Sequence, residues 1–357
     1  MTLHDTIRDR LGREYIRHEE IARLLALAFD SGKNVLLWGL GGHGKSEMVA
    51  AALACVATDA EIFVQSFGEG MDEATLWGGL DFAALERDKV LIYYPENSFL
   101  AKKFAVFEEM FDAPASVLLA LKDTLTAKVL RKGSQRFAMK TEVIIAITNK
   151  DPDEVSDLGP AAAALVERFP LQLKVDWPSY TSADYLELFR KVAPRLPGAD
   201  LNGSIAVLAE VMAKASEDGE VISPRTAVHA LGIIKTAAAL RGSKLVERSD
   251  MLDLRFLPGL EEFSANLKAE LEAAYQRAAA EEALVASENN FHQIMGTAGE
   301  QSPLKLMQAH KRLAELGDKV AQLAVTDNLT ERRNKLREAI QVKAAELLTQ
   351  AVANTRI

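Results

Sequence analysis

The chain has 357 residues, 48% of them hydrophobic, which is enough for two or three domains with a sizeable core. Its net charge of −9 argues against an obligate, sequence-blind DNA binder, although a local basic groove could survive that total. A lone cysteine, Cys55, excludes an intrachain disulfide and a multi-cysteine zinc site. MTLHDTIRDR is too polar for a signal peptide and no apolar run reaches membrane-span length, so cytoplasm is the expected location.

In chain order, Glu19–Phe29 has helical apolar spacing and closes at Asp30-Ser31-Gly32. Val35–Trp38 is an unbroken apolar run, expected as a strand covered on both faces. It feeds GLGGHGKS, with Gly39, Gly44, Lys45 and Ser46 at the spacing of a phosphate-binding loop. A helix is expected over Glu47–Ala57, with Cys55 on its apolar side. Ile62–Val64 reads as a second strand, and the stretch from Phe67 to Leu80 is glycine-rich and polar. Val90–Tyr94 is a short apolar run closed by Pro95-Glu96-Asn97. Lys103–Glu109 reads as a third strand ending in two carboxylates, Ala115–Leu125 as a helix and Val129–Met139 as a β-hairpin. Val143–Thr148 and Leu171–Val175 complete five strands alternating with helices, which predicts a doubly wound α/β layer.

The pattern turns helical after Trp177-Pro178-Ser179. Helices are expected over Ala183–Val192, Leu201–Ala215 and Thr226–Leu240. Beyond Pro258 come long charged helices, with Leu260, Phe263, Leu267 and Leu271 spaced by three and four, as are Leu313, Leu316, Val320 and Leu323. Ser302-Pro303 is a helix start, and Asp327-Asn328 turns into a last helix over Thr330–Val352. The expected division is 1–178, 179–257 and 258–357. The tail would either pack on its own body or serve neighbouring subunits or a partner.

The chemistry gathers at strand ends. Glycines let backbone N–H groups curl around phosphate oxygens. Lys45 would reach the β and γ phosphates, and the Ser46 hydroxyl would hold Mg²⁺. The following helix points its positive end at the anion. Glu108 would coordinate the metal, and Glu109 would orient and polarise the attacking water. Asn149, ending the fourth strand, could hold that water. Arg168, in VERF, could act as an arginine finger into an adjacent subunit, and Arg225, in SPRT, could close on the phosphates.

GLGGHGKS, the FEE and ITN strand ends, VERF and the SPR helix start occur in the order of an AAA+ ATPase. The segment from Ser66 to Leu100 resembles the helix-2 insert of the MoxR family, and Thr124–Thr141 resembles its pre-sensor hairpin. The resemblance covers Asp9–Arg241. It implies an α/β AAA+ core with a five-stranded parallel sheet, an α-helical lid and a helical C-terminal extension. It makes the loop Gly39, Gly41, Gly42, His43, Gly44, Lys45, Ser46 and Glu47 the grip on ATP, and places the adenine near Tyr15–Ile16. It further implies Glu108 and Glu109 as Walker B, Asn149 as sensor 1, Arg168 as the finger and Arg225 as sensor 2. One departure stands out. Walker B usually ends Asp-Glu, and here Glu108 moves the metal-binding oxygen by about one methylene, on the order of 1 Å, which can cost ~10² in rate.

The leading expectation is an ATP- and Mg²⁺-dependent ring, a hexamer, that remodels a protein client with a von Willebrand factor A domain partner. Nucleic acid is not the expected ligand. The basic hairpin residues Lys128, Arg131, Lys132, Arg136 and Lys140 nevertheless keep a nucleic-acid motor or the NTPase part of a nuclease complex as an alternative. A slowly hydrolysing, ATP-gated scaffold is the third reading, motivated by Glu108.

Overall fold

The computed structural model describes residues 1–175, 177, 179–201, 203–217, 222–297, 302–325 and 327–354. The expected boundary residue Pro178 lies outside them. The chain divides into two compact units, Met1–Phe263 and Ser264–Ile357.

The first unit opens with α1 (Leu3–Gly12) and α2 (Glu19–Ser31), followed by β1 (Val35–Trp38), α3 (Lys45–Leu53) and β2 (Ile62–Ser66). Next come the short α4 (Glu73–Leu76) and α5 (Phe82–Asp88), then β3 (Phe104–Glu108), α6 (Ala115–Ala127) and the hairpin β4 (Val129–Lys132) and β5 (Gln135–Ala138). β6 (Val143–Ile147), α7 (Pro152–Asp157), α8 (Pro160–Val166) and β7 (Leu171–Lys174) complete the α/β layer. The sheet order is β2-β3-β6-β1-β7, all parallel, so the expected five-stranded core is present.

Alternate residues of each central strand enter opposite cores, as the pleat requires. Leu36, Phe107 and Ile144 face α6, α8 and the Trp77 and Phe99 side chains of the insert. Val35, Leu37, Val106 and Ile145 face α1, α2 and α3. Burial on both faces explains why β1, β3 and β6 read as continuous apolar runs. Gly32 ends α2 in the left-handed conformation, as its position suggested.

Several expectations shift. α1, capped by Thr2 and Asp5, was not read from the sequence. α3 starts at Lys45, because left-handed Gly44 caps it, and ends at Leu53. Cys55 therefore lies beyond the helix in a tight turn, half-buried, its thiol 3.5 Å from the Ala51 carbonyl. Val90–Tyr94 joins no sheet; Tyr93 makes a single bridge to Leu80, and Val90 and Leu91 are exposed.

After the sheet come α9 (Ser182–Val192), α10 (Ser204–Glu217) and α11 (Pro224–Leu240). α9 packs on α10 and α11, and the buried Tyr185 hydroxyl donates to the Ile222 carbonyl at 2.7 Å. In the second unit, α13 (Pro303–Gln322) and α14 (Asp327–Ala353) form a helical pair with the end of α12 (Glu261–Thr297). Leu284, Ile294, Leu313, Leu316, Val320, Leu336 and Ile340 make its core, so the repeat at Leu313–Val320 marks a buried seam.

One buried polar residue ties the sheet together. Asn34 Nδ2 donates to the Arg168 carbonyl at 3.0 Å, and its Oδ1 accepts the Ile144 N–H at 3.0 Å. Asn34→Ala strands both partners and is expected to lower stability by about 2 kcal/mol. The reading is a lower urea midpoint at unchanged slope; an unchanged midpoint would refute the structural role.

Candidate functional site

The phosphate-type loop leaves β1 at the C-terminal edge of the sheet. Gly39 has φ +129°, and a Cβ there would lie 2.5 Å from the Val175 carbonyl oxygen. At Gly42, φ +86°, a Cβ would lie 2.7 Å from the Ser223 hydroxyl. Both positions therefore exclude any side chain, which leaves the loop's backbone bare. Lys45 is buried beneath it. Its ammonium donates to the Gly39 carbonyl at 2.5 Å, the Leu40 carbonyl at 2.7 Å and Asn149 Oδ1 at 3.3 Å.

No carboxylate lies within ion-pair distance of Lys45 among the described residues. Burial is the main reason its pKa falls to about 8, with Glu109 opposing the shift. A buried cation facing only neutral acceptors, under a side-chain-free loop, fits a polyphosphate. The sign of the pH dependence follows. The free site loses its ammonium as pH rises through about 8, whereas the anion-bound site needs it. Nucleotide affinity is thus expected to fall above about pH 8, by up to about tenfold per unit. Calorimetry in buffers of different ionisation enthalpy should show proton uptake on binding at about pH 9 and little at about pH 7. Lys45→Ala should abolish the uptake, and uptake that is absent in the parent protein would remove Lys45 from the grip.

The next two strand ends bring the carboxylates. Glu108 closes β3, and its Oε2 accepts the Ser66 hydroxyl at 3.2 Å. Glu109 adopts a left-handed conformation, φ 51°, unusual for a residue with a side chain. That backbone carries its Oε2 to the Asn149 N–H at 3.1 Å. Asn149 follows β6, which lies between β1 and β3, so Glu109, Asn149 and Lys45 form one connected set. Gly41 passes beside the Asn149 amide. Ser46 is on the first turn of α3, beneath the loop.

The third side comes from α11. Ser223 caps it, accepting the Thr226 N–H at 3.1 Å, and the Arg225 N–H donates to the Gly42 carbonyl at 3.2 Å. The Arg225 guanidinium is 3.5 Å from Glu47, both groups more than half exposed, so this contact is weak. A mostly apolar cavity of about 240 Å³ opens beside the loop, lined among others by Tyr15, Ile16, His43, Trp177, Tyr180 and Val228.

Trp177 and Tyr180 were not expected there; the sequence marks Trp177 only as part of a boundary and gives Tyr180 no role. His43 Nδ1 is 3.1 Å from the Tyr180 hydroxyl, and their rings stack at 5.8 Å. Arg17 lies over the other part of this cluster, 4.3 Å from the Tyr180 ring, and pairs with Asp184 at 2.8 Å. Burial, then the Lys45 charge, lowers the His43 pKa, so the imidazole is neutral at neutral pH.

Arg168 stands apart from all of these. Its carbonyl is held by Asn34, before β1, and its Nε donates to Thr126 Oγ1 at 3.0 Å at the end of α6. The loop leaves the other end of β1, roughly 13 Å of strand away. Lys45, Glu108, Glu109, Asn149 and Arg225 therefore gather at one edge of the sheet, and Arg168 sits at the opposite edge.

A family profile described as the MoxR domain in the MoxR-vWA-beta-propeller ternary systems matches residues 2–187. An uncharacterized protein of Methanocaldococcus jannaschii is 20% identical over 270 residues, covering 71% of this chain and 69% of its own length. A crystal structure of a candidate ATPase from Cytophaga hutchinsonii is 16% identical, with a TM-score of 0.41, covering 71% of this chain and 85% of its own. With the five-stranded sheet, the glycine loop and the carboxylate-bearing strand end in place, the profile over more than half its length shows that this chain belongs to the MoxR family of AAA+ ATPases.

Proposed function

We propose that this chain hydrolyses ATP at sites shared between subunits of a ring, taken as a hexamer, and uses the cycle to remodel a protein client. The observation that carries the reading is the placement of Arg168: fixed to the sheet by Asn34, yet on the edge away from its own Lys45. A cation so anchored and so placed suits a neighbour's nucleotide, where it can be worth ~10³–10⁵ in rate.

ATP with Mg²⁺ supplies the electrophilic γ-phosphorus and a metal that neutralises developing charge. Around it, the Gly39–Gly44 backbone and Lys45 grip the phosphates, and Ser46 and Glu108 hold the metal. Glu109 aligns and deprotonates water, while Asn149 fixes that water and carries the Lys45 contact. Arg225 closes over the loop from α11. Tyr15, Ile16 and the His43–Tyr180 stack receive the base. The longer Glu108 in the usual Asp place makes slow turnover the expectation. The family description names ternary systems with von Willebrand factor A and β-propeller proteins, and a von Willebrand factor A partner on the ring is the assembly proposed here.

The test is phosphate release together with sedimentation of the full chain, with and without ATP-Mg. ATP-dependent assembly with hydrolysis that rises on assembly is the expected result. Hydrolysis by a dilute monomer at the same rate would reject the shared site. Assembly without phosphate release, even with a partner present, would favour the scaffold reading.

A further inference from the structure

The edge that carries Arg168 carries other cations too. Arg168 Nε is bonded to Thr126, two residues before Lys128, and its carbonyl is bonded to Asn34, one residue after Lys33. Three elements therefore deliver Lys33, Lys128 and Arg168 to one neighbourhood: the entry to β1, the end of α6 and the entry to β7. Lys128 is the left-handed cap of α6, φ 54°, so the direction of its side chain is set by a fixed backbone. Lys128 is exposed, yet desolvation by nearby atoms, and then the charge of Lys33, lowers its pKa, so the two lysines repel each other.

Neither lysine has an ion-pair partner among the described residues, and the Arg168 contact with Glu167 is long, 3.8 Å, and solvent-exposed. A helix C-terminus accounts for one cation at the end of α6. It does not account for three converging with only the exposed Glu167 carboxylate, at long range from Arg168, beside them. Convergent positive charge, balanced only by one long, exposed contact, is what an incoming polyanion would relieve. The edge lies a full strand length from the chain's own phosphate-type loop, so that loop cannot supply the anion.

We propose that Lys128, backed by Lys33, is a second cation donated with Arg168 to the triphosphate held by a neighbouring copy of this chain. The proposal rests on the trans reading of Arg168 given above and adds a residue to it. Lys128 would meet the β/γ-phosphate oxygens from the neighbour's side, and Lys33 would hold the local potential positive. No bond is made or broken by either lysine; both act on charge and on docking geometry.

The experiment compares Lys128→Met, Lys128→Arg, Lys33→Met and Arg168→Ala in the full chain. It reads the affinity of dilute protein for a fluorescent ATP analogue, ATP-dependent sedimentation, and phosphate release at saturating ATP. Lys128→Met is expected to bind the analogue as the parent does, to assemble less readily, and to hydrolyse about tenfold more slowly, below the ~10²–10³ of a sole donor because Arg168 stays in place. Lys128→Arg should restore both assembly and turnover, and Lys33→Met should show a smaller loss in the same direction. Lys33→Met sits on a different element, so it keeps the test open if Lys128→Met fails to fold. If Arg168→Ala is inactive while Lys128→Met and Lys33→Met turn over normally, Arg168 stands and the lysine proposal falls. Weaker analogue binding by dilute Lys128→Met would place its effect inside one subunit and also overturn the proposal. Unchanged turnover in Arg168→Ala would sink the underlying reading, a separate and visible failure.

Discussion

Arg168→Ala is expected to bind ATP as tightly as the parent chain and to lose about 10³-fold or more of its turnover. The binding half follows from the fold. Lys45, Ser46, the bare glycines and the Arg225 strap all lie at the C-terminal edge of the sheet, and no Arg168 contact reaches them. The turnover half follows from charge: the transferring phosphoryl group gains stabilisation from a guanidinium only where one arrives, and here it would arrive from next door. The substitution leaves the Asn34 bond to the residue-168 carbonyl intact, because that bond uses backbone. The lost Thr126 contact is exposed and worth about 1 kcal/mol or less, so unfolding does not explain an inactive variant. Phosphate release and nucleotide titration on one preparation decide the matter. Parallel loss of affinity and rate would reject the finger role.

Glu109→Gln should bind ATP and keep it. A glutamine can still accept the Asn149 N–H through its amide oxygen, and the left-handed backbone at this position is unaffected by the change. What disappears is the negative charge proposed to pull a proton from water, an effect of ~10²–10⁴ in rate. Trapped ATP should then prolong the assembled state, so sedimentation should show a ring that outlasts that of the parent chain. Parent-like turnover in this variant would remove Glu109 from the chemistry.

Those two residues also show what the sequence makes legible. Glu109 could be placed because a strand of known hydrophobic pattern ends just before it, one βα unit after the phosphate-type loop; local spacing was enough. The same holds for Asn149, just after a strand with both faces buried, and for Lys45 and Ser46, which the glycine loop joins to such a strand. Cys55 was misplaced because helix length depends on where Gly44 caps and where the chain turns after Leu53, not on apolar content. Asn34 was invisible. Its meaning lies in bonds to residues 110 and 134 positions away, and no local pattern marks a side chain that bridges three strands. Trp177 and Tyr180 were passed over for a related reason: they sit where the periodicity changes, and only the folded chain brings them against His43. The tail beyond Pro258 read correctly as helices. Its separation into a second compact unit depends on α13 meeting α14, which spacing alone does not dictate.

Whether one copy grips the nucleotide and the next completes it can be read by mixing two variants, each expected to be inactive alone. Lys45→Ala retains Arg168 but should not hold phosphate; Arg168→Ala retains the loop but would lend no cation. In an equal mixture of co-assembling chains, about a quarter of the interfaces pair an intact loop with an intact arginine, from one-half times one-half in a ring of equivalent contacts. Phosphate release is expected to reappear at about that share of the parent rate. A mixture that co-sediments as one assembly and stays as silent as its components would contradict it.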